Sequence, residues 1–370
     1  MNNILKIKNI EIFKVSIPLL RPFVTSFGSL VQRNIILVKL IDSDGNFGIG
    51  EAPVLDYPVY KSEFFSSAYC VLNEIILPFL VGKSFSSPEE LDKSLNFIKG
   101  NNFAKASLSI AAYDYFAKIN KKSLAKFLGA EKNIVTVSNT ISIHEQISAM
   151  LNESNSYKDI KTLKLKIKPG NDIHFVAALR NAFPNAQIMV DANASYPYNK
   201  ETIEIFKKME EYSIFCIEQP LAHNDIVEHA KLQKKLNIPI ALDESIESCE
   251  DLIKAYELGS CQMVNIKIPR VGGLSESIKI HNYCLKEKIP AWVGGMVESP
   301  VGISANLAFS ALPGCNYPVD FLDSFWLIDN FYKYFCKHPI EKKLDKASLY
   351  FFGSGISENI NLNCLHSSLI

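Results

Sequence analysis

Hydrophobic and polar positions fall into three regimes along the chain. Residues 5 to 17 and 34 to 41 alternate with a period of two, as half-buried strands do, and Asp44-Gly45 is a hairpin signal before Phe47-Gly48-Ile49-Gly50-Glu51. The chain therefore opens with an antiparallel meander. Helical periodicity follows over roughly 62 to 77, 88 to 98 and 103 to 119, the second opened by the capping signal Ser86-Ser87-Pro88-Glu89-Glu90. The third carries Ala104, Ala106, Ala111 and Ala112, small enough for close packing, and a short helix from Ser123 to Leu128 ends at Gly129 as its C-cap.

From residue 134 onward, short apolar runs alternate with helical patterns, which predicts parallel βαβ units. Five successive runs end in a charged residue: Lys166, Asp191, Glu218, Asp243 and Lys267, at steps of 25, 27, 25 and 24 residues. Each step is one strand, one helix and two loops. Strict alternation that closes on itself is a (β/α) barrel, whose chemistry lies at the carboxyl ends of its strands. A seventh strand is expected at 289–293 and an eighth at 317–321. The predicted class is α/β: an α+β capping domain over 1–128, a barrel over 129–325, and a segment over 326–370 that fits no βα unit and is expected to return to the capping domain.

In the strand around Lys166, a two-residue period sends Leu163, Leu165 and Ile167 to one face and Lys164, Lys166 and Lys168 to the other. A solvated sheet edge is the plain alternative. Likewise, one acidic residue at a strand end is often only the N-cap of the next helix. Three acids and two lysines in successive units make that explanation weak for the set.

Composition narrows the function. Among 370 residues, 39 basic side chains balance 39 acidic ones, so no electrostatic footprint for nucleic acid or an anionic membrane exists. A small-molecule substrate is expected. The richest apolar run, 71–81, is interrupted by Asn73, Glu74 and Pro78 and is too short to span a bilayer, and the first eight residues lack a signal-peptide core. Eight scattered cysteines without a C-x-x-C pair read as reduced packing residues of a cytoplasmic enzyme. His144-Glu145 would open a zincin motif, but position 148 is Ser.

Asp191, Glu218 and Asp243 together make an all-oxygen site suited to Mg²⁺, with Mn²⁺ possible, rather than zinc. With Lys166 and Lys267 on opposite sides, such a site suits removal of a proton alpha to a carboxylate, because cation and ammonium stabilise the enediolate that forms. Burial, the cation and neighbouring Lys164 should push the pKa of Lys166 down, toward a general base. Glu244 is expected behind the carboxylates or in a helix's first turn, Gly272-Gly273 and Gly294-Gly295 in plain turns or where backbone amides can meet a ligand carboxylate, and Glu298 beside Lys267 or in a structural salt bridge. Loops at 21–29 and 52–58, with Phe23 and Tyr57, are expected to fold over the substrate.

Lys164-x-Lys166, Asp191-Ala192-Asn193, Glu218-Gln219-Pro220, Asp243-Glu244-Ser245, Asn265-Ile266-Lys267 and Gly294-Gly295-Met296-Val297-Glu298 together resemble the muconate-lactonizing-enzyme subgroup of the enolase superfamily. The resemblance covers essentially the whole chain and implies a (β/α)7β barrel under a capping domain. A lysine base with one or two Mg²⁺ ions is the general pattern of that superfamily, and the resemblance carries it to this chain.

Within the subgroup, Arg21-Pro22-Phe23 with Ser26, the run Lys99 to Ala106, Lys164 to Gly170 and Arg270-Val271-Gly272-Gly273 resemble the o-succinylbenzoate synthase and N-acylamino acid racemase family. This implies dehydration of 2-succinyl-6-hydroxy-2,4-cyclohexadiene-1-carboxylate, a step of menaquinone synthesis. Lys166 would be the base, Lys267 the stabiliser, and Phe23, Ser26, Asn193 and Arg270 would lie around the substrate. A homo-oligomer is expected.

Two further readings stand beside it. Racemisation or epimerisation would use Lys166 and Lys267 as opposed bases, and Arg270 resembles a position of racemase-competent members. After Glu298 the chain reads Ser299-Pro300-Val301-Gly302-Ile303, more like dipeptide epimerases or cycloisomerases than the usual Thr-Gly-Ile followed by arginine. Against an epimerase, Asp320 and Asp323 are one residue too far apart for an Asp-x-Asp pair. A non-catalytic barrel is the third reading, and the intact set of five ionic positions opposes it.

Overall fold

Alternation at the start of the chain builds the first sheet. The computed structural model describes residues 4–132, 134–155 and 161–320, with short backbone pieces at 342–343 and 346–348. Strands β1 (Leu5–Thr25), β2 (Gly28–Asp42) and β3 (Phe47–Ala52) form an antiparallel meander. Leu5 and Ile7 are buried, a register shift follows between Ile7 and Asn9, and burial resumes at Ile10, Phe13, Val15 and Ile17. The region 21–29 is not the open loop expected. Phe23, Val24 and Thr25 find cross-strand partners in Leu30, Ser29 and Gly28, so it is the tip of a long hairpin.

Helix α1 (Phe65–Cys70), a π-helical stretch (Val71–Ile76) and α2 (Leu77–Leu80) follow, then β4 (Ser84–Phe85) on the far side of β1, α3 (Pro88–Ser94), α4 (Asn102–Ile119) and α5 (Leu124–Leu128). Ser87 caps α3, and Gly129 ends α5 in the left-handed conformation at φ 94°, which glycine adopts without strain. Helix α4 lies directly on the sheet: a Cβ at Gly48 would stand 1.9 Å from Ala111 O, and one at Gly50 1.9 Å from Ser107 O. Its other side meets the barrel, where Ser109 Oγ accepts from Leu274 N at 3.0 Å.

The alternating second part is the barrel. Its strands are β5 (Ile134–Ile141), β6 (Thr162–Lys166), β7 (Gln187–Asp191), β8 (Ile217–Glu218), β9 (Ile240–Leu242), β10 (Met263–Ile266), β11 (Ala291–Val293) and β12 (Val319–Asp320). Helices α6 (Ile147–Asn155), α7 (Ile173–Ala182), α8 (Lys200–Met209), α9 (Ile226–Gln233), α10 (Cys249–Leu258), α11 (Leu274–Glu287) and α12 (Pro300–Ser310) connect them. Parallel ladders run from β5 through β11, and β12 pairs with β5 through Val319 and Val137. Among the described residues no ladder joins β11 to β12, so the barrel is nearly closed.

Leu163, Leu165 and Ile167 point outward into the apolar layer beneath the helices, while Lys164 and Lys166 point inward and are 2% and 7% exposed. This removes the solvated-edge reading. Lys168, third in the alternation, is exposed on a turn and takes no part in the cup.

Of the segment expected to return to the capping domain, β13 (Lys342–Lys343) and β14 (Lys346–Ser348) pair with each other, and β14 pairs with the start of β5. The rest of that expectation, with Phe321 and Asp323, lies outside the described residues. No described helix is long and apolar enough to cross a membrane, and the six described cysteines are free.

Candidate active site

The carboxyl ends of successive strands carry five charged residues to one end of the barrel. Lys166, Asp191 and Glu218 are the last residues of β6, β7 and β8 and successive cross-strand partners, while Asp243 and Lys267 stand immediately after β9 and β10. Lys164 lies two residues before Lys166 on the same face.

Their side chains interlock. Lys166 Nζ donates to Asp191 Oδ2 at 2.6 Å and to Asn193 Oδ1 at 2.8 Å. Lys164 Nζ lies 2.7 Å from Glu218 Oε2, 3.9 Å from Asp191 Oδ2 and against Asp320 Oδ2. Across the cup, Lys267 Nζ donates to Asp243 Oδ2 at 2.7 Å and lies 3.5 Å from Tyr60 Oη. Tyr60 Oη in turn donates to Asp243 Oδ1 at 3.2 Å.

Burial and neighbouring charge oppose each other here. For Lys164, burial favours the neutral amine, but Asp320, Glu218 and Asp191 outweigh it and raise the pKa above the ordinary lysine value. Lys267 is likewise raised, against burial, by Tyr60, Glu244, Glu218 and Asp191. Asp191 is also buried, yet Lys166 and Lys164 hold it below the usual range. Burial and Asp191 push Glu218 up, and burial does the same for Glu244.

A further set of polar side chains holds these groups in place. Asn193 Nδ2 donates to Glu244 Oε1 at 3.1 Å and Asn265 Nδ2 to Glu218 Oε1 at 2.7 Å. Gln219 Oε1 accepts from the amides of Asp243 at 3.0 Å and Ser245 at 3.1 Å. Gly294 is required by Asn265, since a Cβ there would stand 2.1 Å from Asn265 Oδ1.

Four expected side chains, Arg270, Glu298, Ser26 and Tyr57, stand elsewhere than expected. Arg270 does not line the pocket: buried beneath Asp243, its guanidinium bonds to Asp243 Oδ1 and to the carbonyls of Ile246 and Asn265, each at 2.6 Å. Glu298 makes no hydrogen bond or ion pair with Lys267 among the described residues. Its Oε1 instead accepts from Asn306 Nδ2 at 3.0 Å on helix α12.

The pocket has an ionic floor and an apolar roof. Lys164, Lys166, Asp191, Asn193, Lys267 and Asp320 form the floor with Thr140, while Phe23, Thr25, Phe27 and Leu30 of the hairpin tip, Leu55 and Tyr60 of the second loop, and Gly295, Met296 and Val297 close over it. Ser26 does not line it. Its Oγ donates to Asn193 O at 3.2 Å and pins the hairpin tip to the barrel. Of the second loop it is Leu55 and Tyr60 that reach the pocket, whereas Tyr57 is 73% exposed.

The donor set suits a hard divalent cation: three buried carboxylates, with Glu218 Oε2 and Glu244 Oε2 accepting no hydrogen bond. Lys164 stands near Glu218 Oε2 but outside hydrogen-bond geometry. In the present arrangement the cationic side chains occupy the carboxylate oxygens, and among the described residues no three acidic, histidine or cysteine side chains converge to hold an ion. Asp243 is bonded to Lys267 through Oδ2 and to Arg270 through Oδ1.

Leu30, Tyr60, Thr140 and Asp320 are pocket residues that sequence reasoning missed. Tyr60 belongs to an irregular loop with no periodicity to mark it. Asp320 is legible as a strand-end acid, but weighing it only as half of an Asp-x-Asp pair hides its place in the cup.

The chain matches the model "Mandelate racemase / muconate lactonizing enzyme, N-terminal domain" over residues 7–129 and "Enolase C-terminal domain-like" over 143–343. It is 39% identical to o-succinylbenzoate synthase of Listeria innocua over 84% of this chain and 83% of that one. It is 37% identical to N-succinylamino acid racemase of Thermus thermophilus, over 85% of each. A crystal structure of an enolase-superfamily member from Listeria innocua superimposes with TM-score 0.91 at 34% identity, covering 98% of this chain and 96% of that one.

Proposed function

Because the chain belongs to the mandelate racemase / muconate lactonizing enzyme family of the enolase superfamily, we propose that it is an o-succinylbenzoate synthase. It dehydrates 2-succinyl-6-hydroxy-2,4-cyclohexadiene-1-carboxylate. The single observation that carries the chemistry is the facing pair of lysines: Lys166 and Lys267 both line one pocket, each on its own carboxylate, at the ends of β6 and β10. Likeness to several synthases at 36–39% identity over most of the chain supports the substrate.

The substrate carboxylate belongs on the ionic floor and its ring under the apolar roof. Lys166, as the free amine, takes the alpha proton. Lys267, held as ammonium beside Asp243, faces the enediolate charge from the other side, and Lys164 adds a second fixed positive charge. Lys166, now protonated, returns its proton to the departing hydroxyl on the same face, so that one water leaves and the ring becomes aromatic. Asp191, Glu218 and Asp243 would hold Mg²⁺, with Mn²⁺ as the substitute, once they exchange their ammonium partners for the ion. When bound, the cation supplies Lewis-acid stabilisation of the carboxylate. Roof residues exclude water from the site.

N-Acylamino acid racemisation is the second reading, favoured by the same opposed lysines and by the racemase relatives at 34–37% identity. The deciding experiment is an ultraviolet assay of the purified protein with Mg²⁺ on the diene acid, beside polarimetry on N-succinylamino acids. Loss of diene absorbance that chelation and Lys166→Ala abolish is the expected result. A silent diene assay with a rotating N-succinylamino acid would replace the synthase by the racemase.

A further inference from the structure

One guanidinium ties three segments together behind the apolar end of the pocket. Arg33 on β2 is 1% exposed; its Nη2 donates to Pro53 O at 2.7 Å, Nη1 to Val54 O at 3.1 Å and Nε to Val297 O at 3.2 Å. The first two carbonyls open the loop that carries Leu55 and Tyr60 into the pocket, and the third belongs to a residue that itself lines it. Burial disfavours its charge, and Glu51, Glu298 and Asp56 offset that only in part. Glu51 is committed elsewhere, accepting from the amides of Ser299 at 3.0 Å and Gly302 at 2.9 Å at the start of α12.

A second observation falls at the same point. Val297 has φ 59°, a left-handed conformation that a β-branched side chain strongly disfavours and that persists only where surroundings impose it. Its side chain packs against Phe23 of the hairpin tip, with Leu19 and Leu30 alongside. The strained residue is thus the one where hairpin tip, second loop and barrel meet.

We propose that Arg33 is a positioning residue for substrate binding. By fixing the carbonyls of Pro53, Val54 and Val297 it holds the pocket wall formed by Leu55 and Val297 in register with the ionic floor, without touching the substrate. Three separate nitrogens of the planar guanidinium reach the three carbonyls, a spread that the single ammonium nitrogen of lysine does not reproduce, so lysine is not equivalent. The catalytic lysines ride on barrel strands that Arg33 does not contact, so its loss weakens binding of the substrate's non-reacting part more than the proton transfer itself. This rests on the proposed function for the identity of the substrate, not for the existence of the wall.

The test compares Arg33→Lys and Arg33→Met with wild type by steady-state kinetics and thermal unfolding. It uses whichever substrate the wild type turns over, the diene acid or an N-succinylamino acid. Expected is a rise in KM of about tenfold with kcat within about threefold of wild type, in at least one variant that unfolds cooperatively. In a Val297→Gly background, where the left-handed backbone is unstrained, the same Arg33 change should raise KM less. An unchanged KM, a fall confined to kcat, or an equal rise in both backgrounds would overturn the proposal. Failure of both variants to fold would overturn it too, since Arg33 would then hold the fold and not the wall. A wild type silent on the diene acid but active on the amino acid sinks the synthase reading and leaves the Arg33 comparison intact.

Discussion

Lys166 and Asp191 are cross-strand partners whose side chains meet at 2.6 Å at the mouth of the barrel, with Asn193 Oδ1 on the same ammonium at 2.8 Å. The proposed base and a carboxylate proposed to hold the cation are thereby aimed by one ladder register. Lys166→Ala should lower kcat by about 10³-fold, the scale of a lost general base, while the chain remains folded. Retention of more than a tenth of the activity would remove Lys166 from that role.

Lys267 faces the pocket from the opposite side, on Asp243. In the synthase reading it stabilises charge, so Lys267→Ala should cost about 10² to 10³ in kcat. In D2O the same variant should still exchange the alpha proton of one enantiomer of an N-succinylamino acid, the one presented to Lys166. Mass spectrometry of both enantiomers checks this, and exchange of both or of neither would contradict the assignment of two faces.

Asp191, Glu218 and Asp243 carry buried charge now neutralised by lysine and arginine. Mg²⁺ at about 100 times its Kd should raise stability by about 2.7 kcal/mol, read as an increase in Tm, and EDTA should abolish turnover reversibly. Glu218→Gln should lose the Tm increase. Equal thermal shifts in wild type and variant would exclude this carboxylate from the cation site.

Phe23 lines the pocket and packs on Val297. Phe23→Ala removes part of the roof, and KM should rise about tenfold with a smaller change in kcat, the signature of lost uniform binding. Unchanged kinetics and unchanged substrate preference would mean that the hairpin tip is not a lid.

Glu51 is fully buried between the domains, and burial above all raises its pKa to about 7. A carboxyl with a raised native pKa binds its proton more tightly folded than unfolded. Its contribution is therefore largest below the unfolded value near 4.5 and is lost as pH rises through about 7. Glu63, also raised to about 7, and Asp92, raised to about 6, act in the same direction. Glu51→Gln should flatten the fall in Tm between about pH 5 and about pH 7.5, and an unaltered slope would show that Glu51 does not titrate there.

Periodicity alone determined the meander, the βα alternation and the five charged strand ends, because a two-residue period and a constant repeat are local properties of the chain. It also put Lys164 and Lys166 on one face, since neighbouring alternate residues can do nothing else in a strand. Tertiary structure decided what those residues touch. It placed Lys168 on a turn, sent Glu298 to Asn306, buried Arg270 beneath Asp243, brought Tyr60 to the cup from a loop without a periodic signal, and set Asp320 of the last strand against Lys164. It also turned an apparent loop at 21–29 into a paired hairpin tip and set Arg33 across two domains to Val297. These are contacts between residues up to 264 positions apart, fixed by sheet register and domain packing, and no local pattern encodes them.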